Sequence, residues 1–237
     1  MNKEKILGFD VCSNKQQDLL IQLFDDYNHN IQNMVVNINP EIIISNYKNK
    51  DLVKKLNEQK YQIPDGIGVV YASKINKGNI TQRIAGIDFM EMIIKKSLEL
   101  NSRIFLYGAK PEVIRLAKKE LEKKYPGINI VGFLDGYQST EEAVKIIEKV
   151  NPDILFVGTG SPKQEKFILE NKDKFRDTKI LMPVGGSFDV ISKSLKRAPK
   201  LIIKLNLEWL YRLIKQPSRF FRQLKLIKFI FYVLIKK

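Results

Sequence analysis

The sequence predicts an α/β protein: a Rossmann-like open, mostly parallel sheet with helices on both faces, extended at its C-terminus by a basic helical appendage. Three observations carry this. From residue 103 onward short apolar runs alternate with amphipathic stretches of about 10 to 15 residues, the spacing of parallel strands joined by right-handed crossover helices. The 237 residues are 44% hydrophobic, which suffices for one sizeable core. The charge is also unevenly placed, since residues 196–237 hold twelve Lys or Arg against one acid, Glu208, and supply +11 of the net +15. The rest of the chain has 29 basic and 25 acidic residues, an ordinary balance. The predicted division is a core at 1–195 and an appendage at 196–237.

In chain order, residues 15–28 read as a helix and 33–38 (NMVVNI) as the strongest strand of the less regular N-terminal half. Helices are expected at 41–47, 67–75 and 87–100, with a short strand at 61–63. Residues 103–108 (RIFLYG) form a buried strand, 111–125 an amphipathic helix and 128–133 (INIVGF) a second strand. The helix at 139–150 opens on Ser139-Thr140-Glu141-Glu142, good capping material, and 153–158 (DILFVG) is a strand bounded by Pro152 and Gly158. A helix at 162–171 and a strand at 178–183 complete the core. Residues 1–20 carry Lys3, Glu4, Lys5 and Asp18 and no long apolar run, so no secretory leader is expected and the protein is placed inside the cell. Cys12, the one cysteine, cannot form an internal disulfide, and His29, the one histidine, leaves no Cys/His set for zinc.

The appendage calls for an anionic partner. Trp209, Tyr211, Phe220, Phe221, Phe229, Phe231 and Tyr232 lie among its charges, a mixture suited to an anionic membrane surface. No nucleic-acid module is present, and nucleic acid is not expected as a partner. For 201–214 two readings stay open, a core-packing helix with a solvated basic face or a membrane-lying one. Beyond Pro217, Arg219, Arg222, Lys225 and Lys228 step by three and sweep half of a helix, with apolar side chains on the other half. The last apolar run, 229–235, is far shorter than the about 20 residues that span a bilayer. The appendage is therefore expected to lie on the membrane, and its aromatics to favour a homo-oligomer away from it.

Ligands of open parallel sheets bind beyond the carboxyl ends of the strands. The residues there are Asn37-Ile38-Asn39-Pro40-Glu41, Pro64-Asp65-Gly66, 158–165 (GTGSPKQE) and 184–189 (VGGSFD). Gly158 and Gly160 would let the backbone approach a phosphate at the N-terminus of the next helix, or simply make a tight turn. The full G-x-G-x-x-G is absent, because Pro162-Lys163 occupies its final positions, and a dinucleotide cofactor is disfavoured. Gly185-Gly186-Ser187 repeats the logic one strand later, with Ser187 able to cap the following helix. Two such turns on one rim favour a nucleotide diphosphate. Asp65 is either a turn former or a catalytic carboxylate.

The segments 63–74 (IPDGIGVVYASK), 83–90 (RIAGIDFM), 105–113 (FLYGAKPEV), 157–168 (VGTGSPKQEKFI), 184–190 (VGGSFDV) and 196–222 (KRAPKLIIKLNLEWLYRLIKQPSRFFR) together resemble the WecG/TagA/CpsF family of bacterial glycosyltransferases. The resemblance implies a peripheral enzyme on the cytoplasmic face of the cell membrane. It would move N-acetylmannosamine or a related sugar from a UDP-sugar donor onto undecaprenyl-diphosphate-linked N-acetylglucosamine, with inversion, in teichoic acid-like polymer synthesis. No cofactor or metal is implied, and the sequence has no Asp-x-Asp pair. Asp65 matches the family's base, and Arg83, Arg212, Arg219 and Arg222 match its positive positions, where they would stabilise the leaving UDP. If 212–222 were one helix, Arg212, Lys215, Arg219 and Arg222 would share a cationic face, unless Pro217 breaks it. Asn37, Asn39, Gly108, Gly158, Gly160, Gln164, Gly186 and Asp189 are the expected substrate-binding positions. Asn37 departs from the family, which has Thr there, and this bears on the donor sugar. A non-catalytic membrane scaffold and, third, a nicotinamide-dependent oxidoreductase are the alternative readings.

Overall fold

The computed structural model describes residues 1–215 and 220–235. The chain opens with an antiparallel hairpin, β1 (Lys3–Ile6) and β2 (Phe9–Cys12), which the sequence reading missed. Its two-residue turn puts Leu7 at φ 50° and Gly8 at φ 91°. A leucine in the left-handed region is rare, so the turn carries none of the usual Asn-Gly signal. Asn57 holds the turn from outside, donating to the Gly8 carbonyl at 2.8 Å and accepting from the Asp10 N–H at 2.9 Å.

The core follows as α1 (Gln16–Asn28), β3 (Asn33–Ile38), α2 (Pro40–Asn46), α3 (Lys50–Asn57), β4 (Tyr61–Pro64), α4 (Ile67–Ile75) and α5 (Gly86–Glu99). It continues with β5 (Ile104–Gly108), α6 (Pro111–Lys124), β6 (Ile130–Leu134), α7 (Thr140–Val150), β7 (Ile154–Gly158), α8 (Lys163–Asn171), β8 (Ile180–Pro183) and α9 (Ser187–Ile191). The predicted alternation stands, and Ser139 caps α7 by accepting from the Glu142 N–H at 3.2 Å. The short helix α3 is an addition; its cap is Asn49, which accepts from the Leu52 N–H at 3.1 Å. Ser187 does not cap α9: the N-cap is Gly186 and Ser187 is the first helical residue, its hydroxyl donating to the Val184 carbonyl at 2.6 Å.

Strands β3 to β8 form one six-stranded sheet in the order β4-β3-β8-β7-β5-β6, every pair parallel. Both faces are covered, which is why its strands read as apolar runs rather than alternations. Met34, Val36, Ile38, Leu155, Val157 and Leu181 face α2, α3, α4, α7 and α8. Val35, Ile63, Leu106, Phe156 and Met182 face α1, α5 and α6. The hairpin lies beside β4 and covers that edge of the sheet.

Charge is buried at one end of the sheet. Asp26 of α1 accepts from Lys60 Nζ at 2.7 Å, the Tyr61 hydroxyl at 2.7 Å and Asn33 Nδ2 at 3.0 Å. Burial alone would raise its pKa, but the Lys60 and Tyr61 hydrogen bonds prevail and hold it below the ordinary 3.8. A depressed carboxylate stabilises the fold above its unfolded pKa and loses that contribution as pH falls through the folded value. Asp26→Ala is expected to cost about 3 kcal/mol at pH 7, because the buried Tyr61 hydroxyl loses its acceptor and Lys60 its counter-ion, while Asn33 Nδ2 keeps only the Ile31 carbonyl at 3.2 Å. Urea melts of native protein and variant should converge in stability as the pH drops below about 4; a difference that stays constant down to acid would contradict this account.

The appendage consists of α10 (Lys200–Lys204), α11 (Glu208–Lys215) and α12 (Phe220–Ile235). The expected single helix over 201–214 is thus two, parted at Asn206, whose φ is 59°. Arg212 and Arg222 also fall on separate helices, α11 and α12, rather than along one helical face. Phe229 and Val233 of α12 are buried in the core against α2 and α4. Tyr232 meets Tyr47, with hydroxyls 3.2 Å apart, and Lys228 Nζ sits 5.5 Å from each ring. The outward side of α12 exposes Ile227, Ile230, Phe231 and Leu234.

Candidate active site

A split in the sheet makes the site. β3 pairs with β8 only through Asn33↔Ile180 and Met34↔Leu181, whereas its pairing with β4 runs on to Ile38↔Pro64. Past Met34 the neighbours diverge toward their carboxyl ends, and a crevice opens where ligands of this fold bind. Asn37 bridges the gap: its Nδ2 donates to the Pro183 carbonyl at 2.7 Å. A carbonyl can only accept, so that bond fixes the orientation of the amide. Its Oδ1 is buried without a hydrogen-bond partner, and Gly86 packs so close that a Cβ there would lie 2.9 Å from Asn37 Nδ2.

The crevice is a cavity of about 350 Å³. Of the expected residues, Asn37, Asn39, Asp65, Arg83, Gly160, Gln164 and Gly186 line it. The turn bearing Asp65 is pinned by its N–H to the Ile38 carbonyl at 2.8 Å, and Gly66 follows at φ 110°, where a side chain would be strained. Arg83 arrives on an irregular segment tied to β4, the Ile84 N–H donating to the Pro64 carbonyl at 2.9 Å. Burial disfavours the Arg83 charge, but the hydrogen bond to Glu208 and the fields of Asp65, Glu208 and Asp88 outweigh it and raise the pKa. Arg83 is therefore a permanent cation inside the cavity, with its Nε buried and without a hydrogen-bond partner.

Two positions have structural duties that spacing alone could not separate from ligand binding. Asn39 is the N-cap of α2, Oδ1 accepting from the Ile42 N–H at 2.9 Å, which leaves its Nδ2 as the group to donate. Gln164 Oε1 accepts from the Gly185 N–H at 2.9 Å, and its Nε2 donates to Glu165 Oε1 at 2.8 Å. It therefore ties one glycine turn to the other. Burial pushes the Glu165 carboxyl up, against the hydrogen bond from Gln164.

Gly108, Gly158 and Asp189 do not line the cavity. Gly108, at φ 127°, meets Gly158 so closely that a Cβ would stand 2.4 Å from the Gly158 carbonyl carbon, and one on Gly158 would strike the Phe188 ring at 2.6 Å. These two glycines serve close packing of β5, β7 and α9. Arg219 lies outside the described residues, as do the side chains of Arg212 and Arg222. The sequence reading missed Glu208, Trp209 and Leu226, appendage residues in the cavity wall. Glu208 had one signal, that it is the only acid in the last 42 residues. Its Oε2 accepts from Arg83 Nη2 at 2.7 Å.

The doubly wound sheet, with glycine turns and a buried guanidinium in the crevice at its carboxyl rim, defines an α/β protein with a ligand cleft where this fold class binds its substrates. The profile of the glycosyl transferase WecG/TagA/CpsF family matches residues 4–237, and the chain belongs to that family. Among its relatives is the N-acetylglucosaminyldiphosphoundecaprenol N-acetyl-beta-D-mannosaminyltransferase of Bacillus subtilis (strain 168), 41% identical over 202 residues, which are 85% of this chain and 78% of that protein. Proteins of the same name from Bacillus spizizenii (strain ATCC 23059 / NRRL B-14472 / W23) and Staphylococcus aureus (strain MW2) are each 37% identical. The first match covers 84% of this chain and 78% of the relative, the second 85% and 79%.

Proposed function

We propose that this glycosyltransferase moves N-acetylmannosamine, or a closely related sugar, from UDP onto undecaprenyl-diphosphate-linked N-acetylglucosamine, in teichoic acid-like polymer synthesis. The observation that carries the reading is the meeting of Asp65 and Arg83 in one cavity at the sheet's carboxyl rim, in a chain whose relatives bear that enzyme's name. Asp65 takes the proton from the acceptor hydroxyl as it attacks the anomeric carbon from the face opposite UDP, which inverts the centre. Arg83 stabilises charge on the departing diphosphate, aided by Arg212, Arg219 and Arg222. Gly160 and Gly186 bring bare backbone to the donor, with Gly108, Gly158 and Asp189 supporting those turns from behind. Asn37, Asn39 and Gln164 shape the sugar subsite.

A metal is not needed for this chemistry, because a fixed guanidinium supplies the positive charge. Among the described residues no three of His, Cys, Asp or Glu gather where an ion could be held. EDTA is expected to leave the rate unchanged; loss of turnover on chelation, restored by Mg²⁺ or Mn²⁺, would contradict a metal-independent mechanism.

No helix among the described residues is long and apolar enough to cross a membrane. The exposed apolar side of α12, beside Lys225 and Lys228, supports a peripheral seat on the anionic cytoplasmic face of the membrane, where the lipid-linked acceptor resides. Away from the membrane the same surface supports self-association. The deciding assay is UDP release from UDP-N-acetylmannosamine with a short-chain lipid-diphosphate N-acetylglucosamine acceptor. Acceptor-dependent release is expected; UDP binding without turnover would reject this donor, and no UDP binding would reject the enzyme reading in favour of a scaffold.

A further inference from the structure

The appendage is almost wholly basic, yet its one acid is buried. Glu208 is 4% exposed and faces a guanidinium carried by the core, Arg83. A second ion pair crosses the same seam with opposite polarity: Arg197 of the appendage donates through Nη2 to Asp88 Oδ2 on α5 at 2.8 Å and lies 2.7 Å from Oδ1. Desolvating a carboxylate costs several kcal/mol unless a cation compensates it. An exposed position in this basic segment would have avoided that cost, so the placement of Glu208 calls for an explanation.

We infer that Glu208 is a positioning residue for the transfer reaction, holding Arg83 by Nη2 on the appendage side of the cavity it shares with Asp65. The inference rests on the roles proposed for Asp65 and UDP. Three carboxylates act on the Arg83 charge, those of Glu208 on α11, Asp65 on the β4–α4 turn and Asp88 on α5. Asp88 is engaged by Arg197. Without the Glu208 charge, the electrostatic pull on a largely buried guanidinium shifts toward Asp65. A cation pressed against Asp65 stabilises its ionised form and so weakens it as a base. The diphosphate, by contrast, would gain, because Arg83 keeps its charge inside the same cavity while the Glu208 carboxylate that competes for that guanidinium is gone. The two effects have opposite signs, which sets them apart from a simple loss of structure.

The test compares full-length native protein with Glu208→Gln, Glu208→Asp, Arg83→Gln and the double variant Arg83→Gln/Glu208→Gln. It measures kcat in the UDP-release assay and the affinity for UDP itself by calorimetry. Glu208→Gln is expected to lower kcat on the order of 10-fold while tightening UDP binding about threefold. Glu208→Asp keeps the charge and should hold kcat within about threefold of native. On the Arg83→Gln background, Glu208→Gln should add no further loss, since Glu208 acts through Arg83. Parallel losses of kcat and UDP affinity in Glu208→Gln would overturn the inference and make Glu208 a packing residue. So would an unchanged kcat, or additive losses in the double variant. A native protein that binds no UDP would instead overturn the functional reading on which the inference rests.

Discussion

Asp65→Asn is expected to lower acceptor-dependent kcat by a factor on the order of 100 to 10,000, the contribution of a positioned general base. UDP affinity should not fall, and the melting temperature should stay close to native. The reason for separating the two lies in the turn. Asp65 is held through its backbone, N–H to the Ile38 carbonyl at 2.8 Å, and Gly66 at φ 110° provides the reversal that starts α4. Neither feature uses the carboxylate. Asn keeps the size and the capacity to accept a hydrogen bond; it loses the ability to take a proton and the negative charge that acts on Arg83. A variant retaining more than about a tenth of native kcat would show that the carboxylate serves the turn or substrate binding rather than proton transfer. Loss of rate together with a lowered melting temperature would implicate the fold instead.

Much of this was legible in the sequence because it follows from local pattern. β3, β5, β7 and β8 are buried on both faces, so each is a short unbroken apolar run, and glycines or prolines mark where each ends. The order of those runs then fixes which turns share a rim, and Asp65, Asn37, Gly160 and Gly186 meet in one cavity as expected. The hairpin was not legible, because its turn rests on Leu7 in a left-handed conformation that leucine rarely adopts. Nor was the split between β3 and β8, which depends on where a strand pair stops rather than on which residues form it. The same spacing that nominated Asn39 and Gln164 as ligand contacts could not reveal a helix cap and a loop tie, since both roles place an amide at the rim. Glu208 was hidden for a simpler reason: its partner, Arg83, lies 125 positions away in the chain.

Two aromatic residues on α12 should give opposite results when made acidic. Phe229 is 1% exposed and Phe231 57% exposed, although they stand two positions apart. Phe229 and Leu226 fit over Gly68, where an added Cβ would lie 3.6 and 3.4 Å from their side chains and 2.7 Å from Pro40. Leu226 and Gly68 are also part of the cavity wall. Phe229→Asp removes a buried ring and forces a carboxylate into the seam, at a cost of about 4 kcal/mol or more to the docking of α12. Turnover should then fall at least about 10-fold even on a short-chain acceptor that needs no membrane, because the wall beside the Asp65–Gly66 turn opens. Phe231→Asp removes only a ring contact with Tyr232, 6.2 Å between centroids, so stability should change by less than about 1 kcal/mol. Its effect should appear in sedimentation with anionic vesicles, where the lost apolar contact and added negative charge weaken binding about tenfold or more. Equal losses from the two variants in both assays would mean that α12 does not divide its faces between the catalytic core and the lipid. A Phe229→Asp protein of native activity would mean that the appendage serves the membrane alone.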